Sequence, residues 1–132
     1  MDNISDPEEW LKRAKGNLKL GRKDSYKNLE DVSIEDLCFN LQQSAEKAIK
    51  ALLIHHDISF PKIHDISELL KLLKKNSTIE VPLDINRASE LTPYAVLTRY
   101  PHWNKISEND YNEALEIAER VYNWILQQVE KE

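Results

Sequence analysis

The sequence predicts an all-α fold, an antiparallel up-and-down bundle of about five helices. Three observations carry it. Only 2 of the 132 residues are glycine, too few for the tight turns of a strand-rich chain of this length. The mixture of 41% apolar and 31% charged residues is that of a helical protein meeting water. Apolar residues also recur at spacings of three and four through most of the chain, which places them on single faces of α-helices.

Asp6 followed by Pro7 opens the first helix: the aspartate caps free amides and proline fits the first turn. Trp10, Ala14 and Leu18 form its apolar stripe, and Gly21 is placed to end it in a left-handed conformation. Ser33 with Asp36 starts a second helix that runs to about Asp57. Its stripe is Cys38, Leu41, Ala45, Ala48 and Leu52, with Gln43, Lys47 and Lys50 as a polar row on the other side and Glu46 beside it. Alanines at 45, 48 and 51 keep the apolar side thin, which suits a bundle or a dimer seam. Pro61 breaks the chain before Asp65 and Glu68 start a third helix, whose Ile66, Leu69, Leu70 and Leu73 face inward. Leu83 to Tyr100 reads as a fourth helix bent at Pro93, with Ile85, Ala88, Leu91 and Ala95 inside. Ser107 with Asp110 opens the last helix, which buries Ala114, Ala118, Val121, Ile125 and Val129 and is flanked by Tyr111, Tyr122 and Trp124. With no repeat, low-complexity stretch or composition break, residues 1–132 read as one domain.

Composition and spacing narrow the chemistry. A lone cysteine cannot form an internal disulfide, and neither a leader-like opening nor a membrane-length apolar run is present, so the cytoplasm is the expected compartment and no membrane is expected as partner. The net charge of −5 argues against wholesale coating of nucleic acid. It is unevenly spread, however: between Leu11 and Lys27 seven cations face one anion, Asp24. That cationic segment can hold phosphates or balance the acidic last helix. His55 and His56 are adjacent and point apart on a helix, no HExxH or CxxC occurs, and no metal or cofactor is expected. His64, ahead of a helix start, suits capping or a hydrogen bond to the second helix, and Cys38 lies on an apolar stripe as a core residue. No glycine-rich phosphate loop, nucleophile elbow or paired-carboxylate signature announces an enzyme. What remains is polar and in two pieces, Gln42 to Lys50 and Arg99-Tyr100-Pro101-His102. In the second, arginine offers a fork for phosphate or carboxylate and tyrosine a ring for a base. Arg99 can equally pair with Glu46 or cap its own helix.

Three pieces, Cys38 to Leu53 (CFNLQQSAEKAIKALL), Phe60-Pro61-Lys62 with His64-Asp65, and Arg99-Tyr100-Pro101, resemble in order and spacing the HEPN family, the higher eukaryotes and prokaryotes nucleotide-binding domain. The resemblance runs from Trp10 to Trp124 and implies a helical homodimer, often the partner of a minimal nucleotidyltransferase in a toxin–antitoxin-like pair. It implies a nucleotide- or RNA-binding module, with Arg99 on phosphate, Tyr100 beside it, and Lys47 or Lys50 as further cations. The alternative it implies is a metal-independent endoribonuclease toxin in which Arg99 and His102 act on the RNA 2′-hydroxyl. Here only two residues separate Arg99 from His102, closer than in the ribonuclease motif of the family.

Overall fold

The computed structural model describes residues 6–97 and 105–130. Among these, five α-helices and two 3₁₀ segments occur and no strand: α1 (Pro7–Leu20), α2 (Ile34–His55), α3 (Ile66–Asn76), α4 (Tyr94–Leu97) and α5 (Glu108–Glu130), with 3₁₀ turns at Lys23–Ser25 and Ile85–Leu91. Local chemistry explains the helix starts. Asp6 Oδ1 accepts from the Glu8 amide, Ser33 Oγ from that of Asp36, and Asp65 Oδ1 from those of Ser67 and Glu68. At α5 the capping box is reciprocal: Ser107 Oγ accepts from the Asp110 amide and Asp110 Oδ2 from the Ser107 amide, each at 3.0 Å.

The bundle is organised around α2, which packs on α1, α3, α4, α5 and the second 3₁₀ segment. From Ser44 to Leu53 all of its residues but Lys47 are buried. The expected α3 stripe of Ile66, Leu69, Leu70 and Leu73 is buried in full, as are Ala114, Ala118, Val121 and Ile125 of α5. Tyr111 and Trp124, expected to flank α5, are buried as well, while Val129 packs only partly buried against the core. On α1 the stripe is rotated: Leu11 and Ala14 are buried, whereas Trp10 and Leu18 lie half-buried beside them.

Two expectations need correction. Gly21 is not left-handed but has φ −85°. A Cβ there would lie 2.5 Å from Leu41 Cδ2, 2.7 Å from Leu41 Cγ and 3.0 Å from the Leu37 carbonyl oxygen. Close approach of α2 therefore demands the glycine, and its carbonyl accepts a 2.8 Å hydrogen bond from the Tyr111 hydroxyl. The left-handed residue that terminates a helix is instead Asp57, at φ 58°, just past α2. There the Ile58 amide reaches back to the Leu53 carbonyl at 2.8 Å. The second correction concerns the bent fourth helix. Ile85–Leu91 is a 3₁₀ segment and a separate α-helix begins at Tyr94, described to Leu97, with the expected continuation to Tyr100 outside the described residues. Ile85, Ala88 and Leu91 are spaced by three, the repeat of a 3₁₀ turn, and all are buried. Pro93 has no amide to continue the ladder, and Thr92 turns outward to bind a neighbour, its Oγ1 accepting from the Ile66 amide at 3.1 Å.

The Tyr111 hydroxyl also accepts from the Lys23 amide at 3.0 Å, so one side chain of α5 holds the turn after α1. Arg22 bonds Glu119 and Lys23 bonds Glu108 across the same seam. We expect Gly21→Ala to lower stability by about 1–3 kcal/mol, since Leu41 must shift to admit the methyl, measured as a lower urea midpoint with unchanged m-value. An unchanged midpoint would show that α1 and α2 have slack here.

Candidate functional site

A helix enclosed by neighbours must satisfy its own polar groups, and α2 buries four: Gln42, Ser44, Glu46 and Lys50. Ser44 Oγ donates to the Ala14 carbonyl of α1 at 2.8 Å. The other three stand at i, i+4 and i+8, so they form one ladder along the helix. Gln42 Nε2 donates to Glu46 Oε1 and Lys50 Nζ to Glu46 Oε2, both at 2.8 Å. His64, in the loop before α3, brings Nδ1 to 3.0 Å from Oε1 and 3.2 Å from Oε2 of the same carboxylate, and Gln42 Nε2 also lies 3.4 Å from the His64 carbonyl. The expected hydrogen bond from His64 to the second helix is thus made. Among the described residues no buried side-chain nitrogen or oxygen lacks a partner.

The ammonium of Lys50 is closed in on its other side by two rings, 5.6 Å from the centroid of Trp10 and 5.5 Å from that of Phe60. The rings meet edge to face with centroids 6.4 Å apart. Burial pushes the Glu46 carboxyl up, but the bonds from Lys50 and Gln42, the Lys50 charge and the His64 contact outweigh it and hold the group below the ordinary carboxylate range. Of the row Gln43, Lys47 and Lys50 expected opposite the apolar stripe, Gln43 and Lys47 are half-buried, while Lys50 is buried in line with Gln42 and Glu46.

Gln43 and Lys47 form the adjacent row. Gln43 Nε2 donates to Gln42 Oε1 at 2.8 Å, and Lys47 Nζ to Asn17 Oδ1 of α1 at 2.8 Å. The chain continues from Asn17 Nδ2 to Asn40 Oδ1 at 2.9 Å and from Asn40 Nδ2 to the Asp36 carbonyl at 3.0 Å. Burial lowers the pKa of Lys47; the charges of Arg13 and Lys50 lower it further, and that of Glu46 opposes them. Two further cations, Arg13 and Lys50, thus bear on Lys47, while Arg13 itself pairs with Glu9 at 3.3 Å and Lys50 with Glu46 at 2.8 Å. Of the residues expected to contact a ligand, Lys47 and Lys50 lie here, Lys47 half-buried and Lys50 buried in its ion pair. Arg99, Tyr100 and His102 lie outside the described residues. The contribution of Gln42, Glu46 and Phe60 to one cluster was signalled only by the i, i+4, i+8 spacing of the first, Glu46 and Lys50. Among the described residues no group of three or more His, Cys, Asp or Glu side chains is placed to hold a metal ion.

Cys38 is fully buried, and burial, then the charges of Glu35 and Asp110, push its thiol up to about 12. It is a core residue, as its stripe indicated.

A helical bundle whose central helix carries an internal polar ladder, closed by a histidine from the next loop, is the class of protein these observations define. The HEPN domain model matches residues 7–129. Among solved structures, the crystal structure of an archaeal HEPN homologue is similar, with 29% identity, 95% of this chain and 98% of that one covered, and a TM-score of 0.70. No curated protein matches the chain. With nearly its whole length matched, the chain belongs to the HEPN domain family.

Removing Lys50 strands a buried carboxylate. Lys50→Ala is expected to cost about 3–5 kcal/mol, whereas Lys50→Met with Glu46→Gln costs less than half as much, as read by urea denaturation. Because the folded-state pKa of Glu46 is depressed, its charge contributes stability above the ordinary carboxylate range that is lost as pH falls through the folded value. Glu46→Gln should therefore flatten the acid limb of the stability–pH curve, and an unaltered limb would show that other carboxylates set it. The Cys38 thiol should resist a disulfide reagent at neutral pH until the chain is unfolded; rapid labelling of native protein would contradict its burial.

Proposed function

We propose that the chain is a HEPN-type nucleotide- or RNA-binding module, acting in the cytoplasm as a homodimer and as the partner of a minimal nucleotidyltransferase in a toxin–antitoxin-like pair. Family membership supports the nucleotide- or RNA-related role, and the dimer and the transferase are what the family resemblance of the sequence implies. The observation that carries the binding role is Lys47, a half-buried cation held by Asn17 whose ammonium feels the like charges of Arg13 and Lys50 with that of Glu46 opposing them. Like charges held close and partly desolvated raise one another's energy, and a bound phosphate relieves that cost.

In this reading Arg99 takes the phosphate through its planar fork and Tyr100 lies beside it under the base. Lys47 adds a direct cation, with an ammonium already positioned by Asn17. Lys50 contributes through its charge while its hydrogen bond stays with Glu46. Arg99 and His102 acting as a ribonuclease pair is the competing reading, and one experiment separates the two.

Titration calorimetry with ATP, AMP and a short single-stranded RNA, followed by a gel of the RNA, provides the test. Binding is expected with the RNA intact, weakened roughly tenfold or more by Arg99→Ala and by a smaller factor by Lys47→Ala. RNA cut by the wild type and spared by both Arg99→Ala and His102→Ala would replace this reading with the ribonuclease one. No binding in any titration would overturn it outright.

A further inference from the structure

His64 is held in a manner that capping does not require. Its ring is 61% exposed, yet Nδ1 is fixed on a carboxylate that is only 3% exposed. With Glu46 held in its ionised form by Lys50 and Gln42, a contact of 3.0 Å needs the proton on Nδ1. In the neutral imidazole this leaves the lone pair on Nε2, on the opposite and solvent-facing edge of the ring. Among the described residues Nε2 has no hydrogen-bond partner. The arrangement is that of a histidine oriented by a buried carboxylate so that its far nitrogen can accept a proton or a hydrogen bond. Glu46 cannot swing away to join it, because Lys50 and Gln42 hold both of its oxygens.

The carboxylate that orients this nitrogen belongs to the helix that carries Lys47, whose charge it opposes, and Gln43 links the two polar rows through Gln42. Cations there suit the phosphate of a ligand, which offers no donor to a neutral imidazole. The remaining groups common to every ribonucleotide that do offer one are the ribose hydroxyls. We propose that His64, positioned by Glu46, accepts a hydrogen bond through Nε2 from a ribose hydroxyl of the bound nucleotide, so that the site selects ribonucleotides over their deoxy counterparts. This rests on the nucleotide-binding reading above and adds to it the group that reads the sugar. Glu46 is then a positioning residue, and His64 touches the ligand.

The test is calorimetry at about pH 8, above the ordinary histidine range, with AMP, 2′-deoxy-AMP and 3′-deoxy-AMP as probes. The wild type is expected to bind AMP roughly three- to tenfold more tightly than one of the deoxy compounds, the effect of one hydrogen bond. His64→Asn retains an amide donor for Glu46 in place of Nδ1 but has no Nε2. It should melt with the wild type and bind AMP and that deoxy compound equally. Nitrogen-15 spectra of the wild-type imidazole give a readout that needs no variant: Nδ1 should carry the proton in the free chain, and AMP should shift the Nε2 resonance. Equal binding of all three probes by the wild type, or discrimination that survives in His64→Asn, overturns this proposal and leaves the nucleotide-binding reading standing. An Nε2 resonance unmoved by saturating AMP does the same. Failure of all three probes to bind overturns both.

Discussion

Enclosure of α2 is the constraint from which the rest of the structure follows. A helix exposed on one side would let Gln42, Glu46 and Lys50 reach water, but α1, α3, α4 and α5 pack around this one. Every polar group along it must then find a partner within the fold. The ion pair of Glu46 with Lys50 is only part of the answer, since a carboxylate has more acceptor capacity than one ammonium fills. Gln42 and His64 take up the rest, while Trp10 and Phe60 cover the ammonium with ring faces instead of water. Removal of any one of these groups leaves the others with incomplete partners. The ladder therefore ties α1, α2 and the loop before α3 to a single arrangement more tightly than apolar contact alone would.

The same enclosure explains what was legible in the sequence. The first turns of α1, α2, α3 and α5 could be read because each begins at a side chain whose oxygen meets an amide two or three residues on. The buried faces of α3 and α5 followed from periodicity. What the sequence concealed depends on partners distant along the chain. Gly21 looked like a left-handed terminator because that is the common use of glycine after a helix; its actual role is set by Leu41, which no local pattern brings near. The run at Ile85, Ala88 and Leu91 was read with a period of 3.6, although strict spacing by three is the mark of a tighter helix. His64 was assigned a bond to the second helix without its acceptor, because Glu46 is eighteen residues away across a turn.

The two polar rows of α2 differ in burial and pairing. One is internal and fully paired, the other half-buried and cationic, and they differ by one residue of register. A single-step helical rotation separates the buried ladder from the half-buried row, which is why Gln43, Lys47 and Lys50 looked like one row before the packing was known. Lys50 belongs to both: its hydrogen bond serves the ladder, and its charge is felt at Lys47.

The closure of the seam by Tyr111 carries a consequence for how the chain matures. Its hydroxyl joins Gly21 and Lys23 across sequence separations of 90 and 88 residues, and Arg22 reaches Glu119 across 97. Contacts of that span are slow to find, because the long intervening loop must be closed before they return any free energy. During synthesis the end of α1 has no partner there until α5 has left the ribosome. Until then the side of α2 that α5 will cover, with its alanines and leucines, is open to solvent and to other chains. The period of greatest exposure to aggregation thus falls before the last helix is made, and a nascent chain stalled ahead of Tyr111 is a natural client for a chaperone.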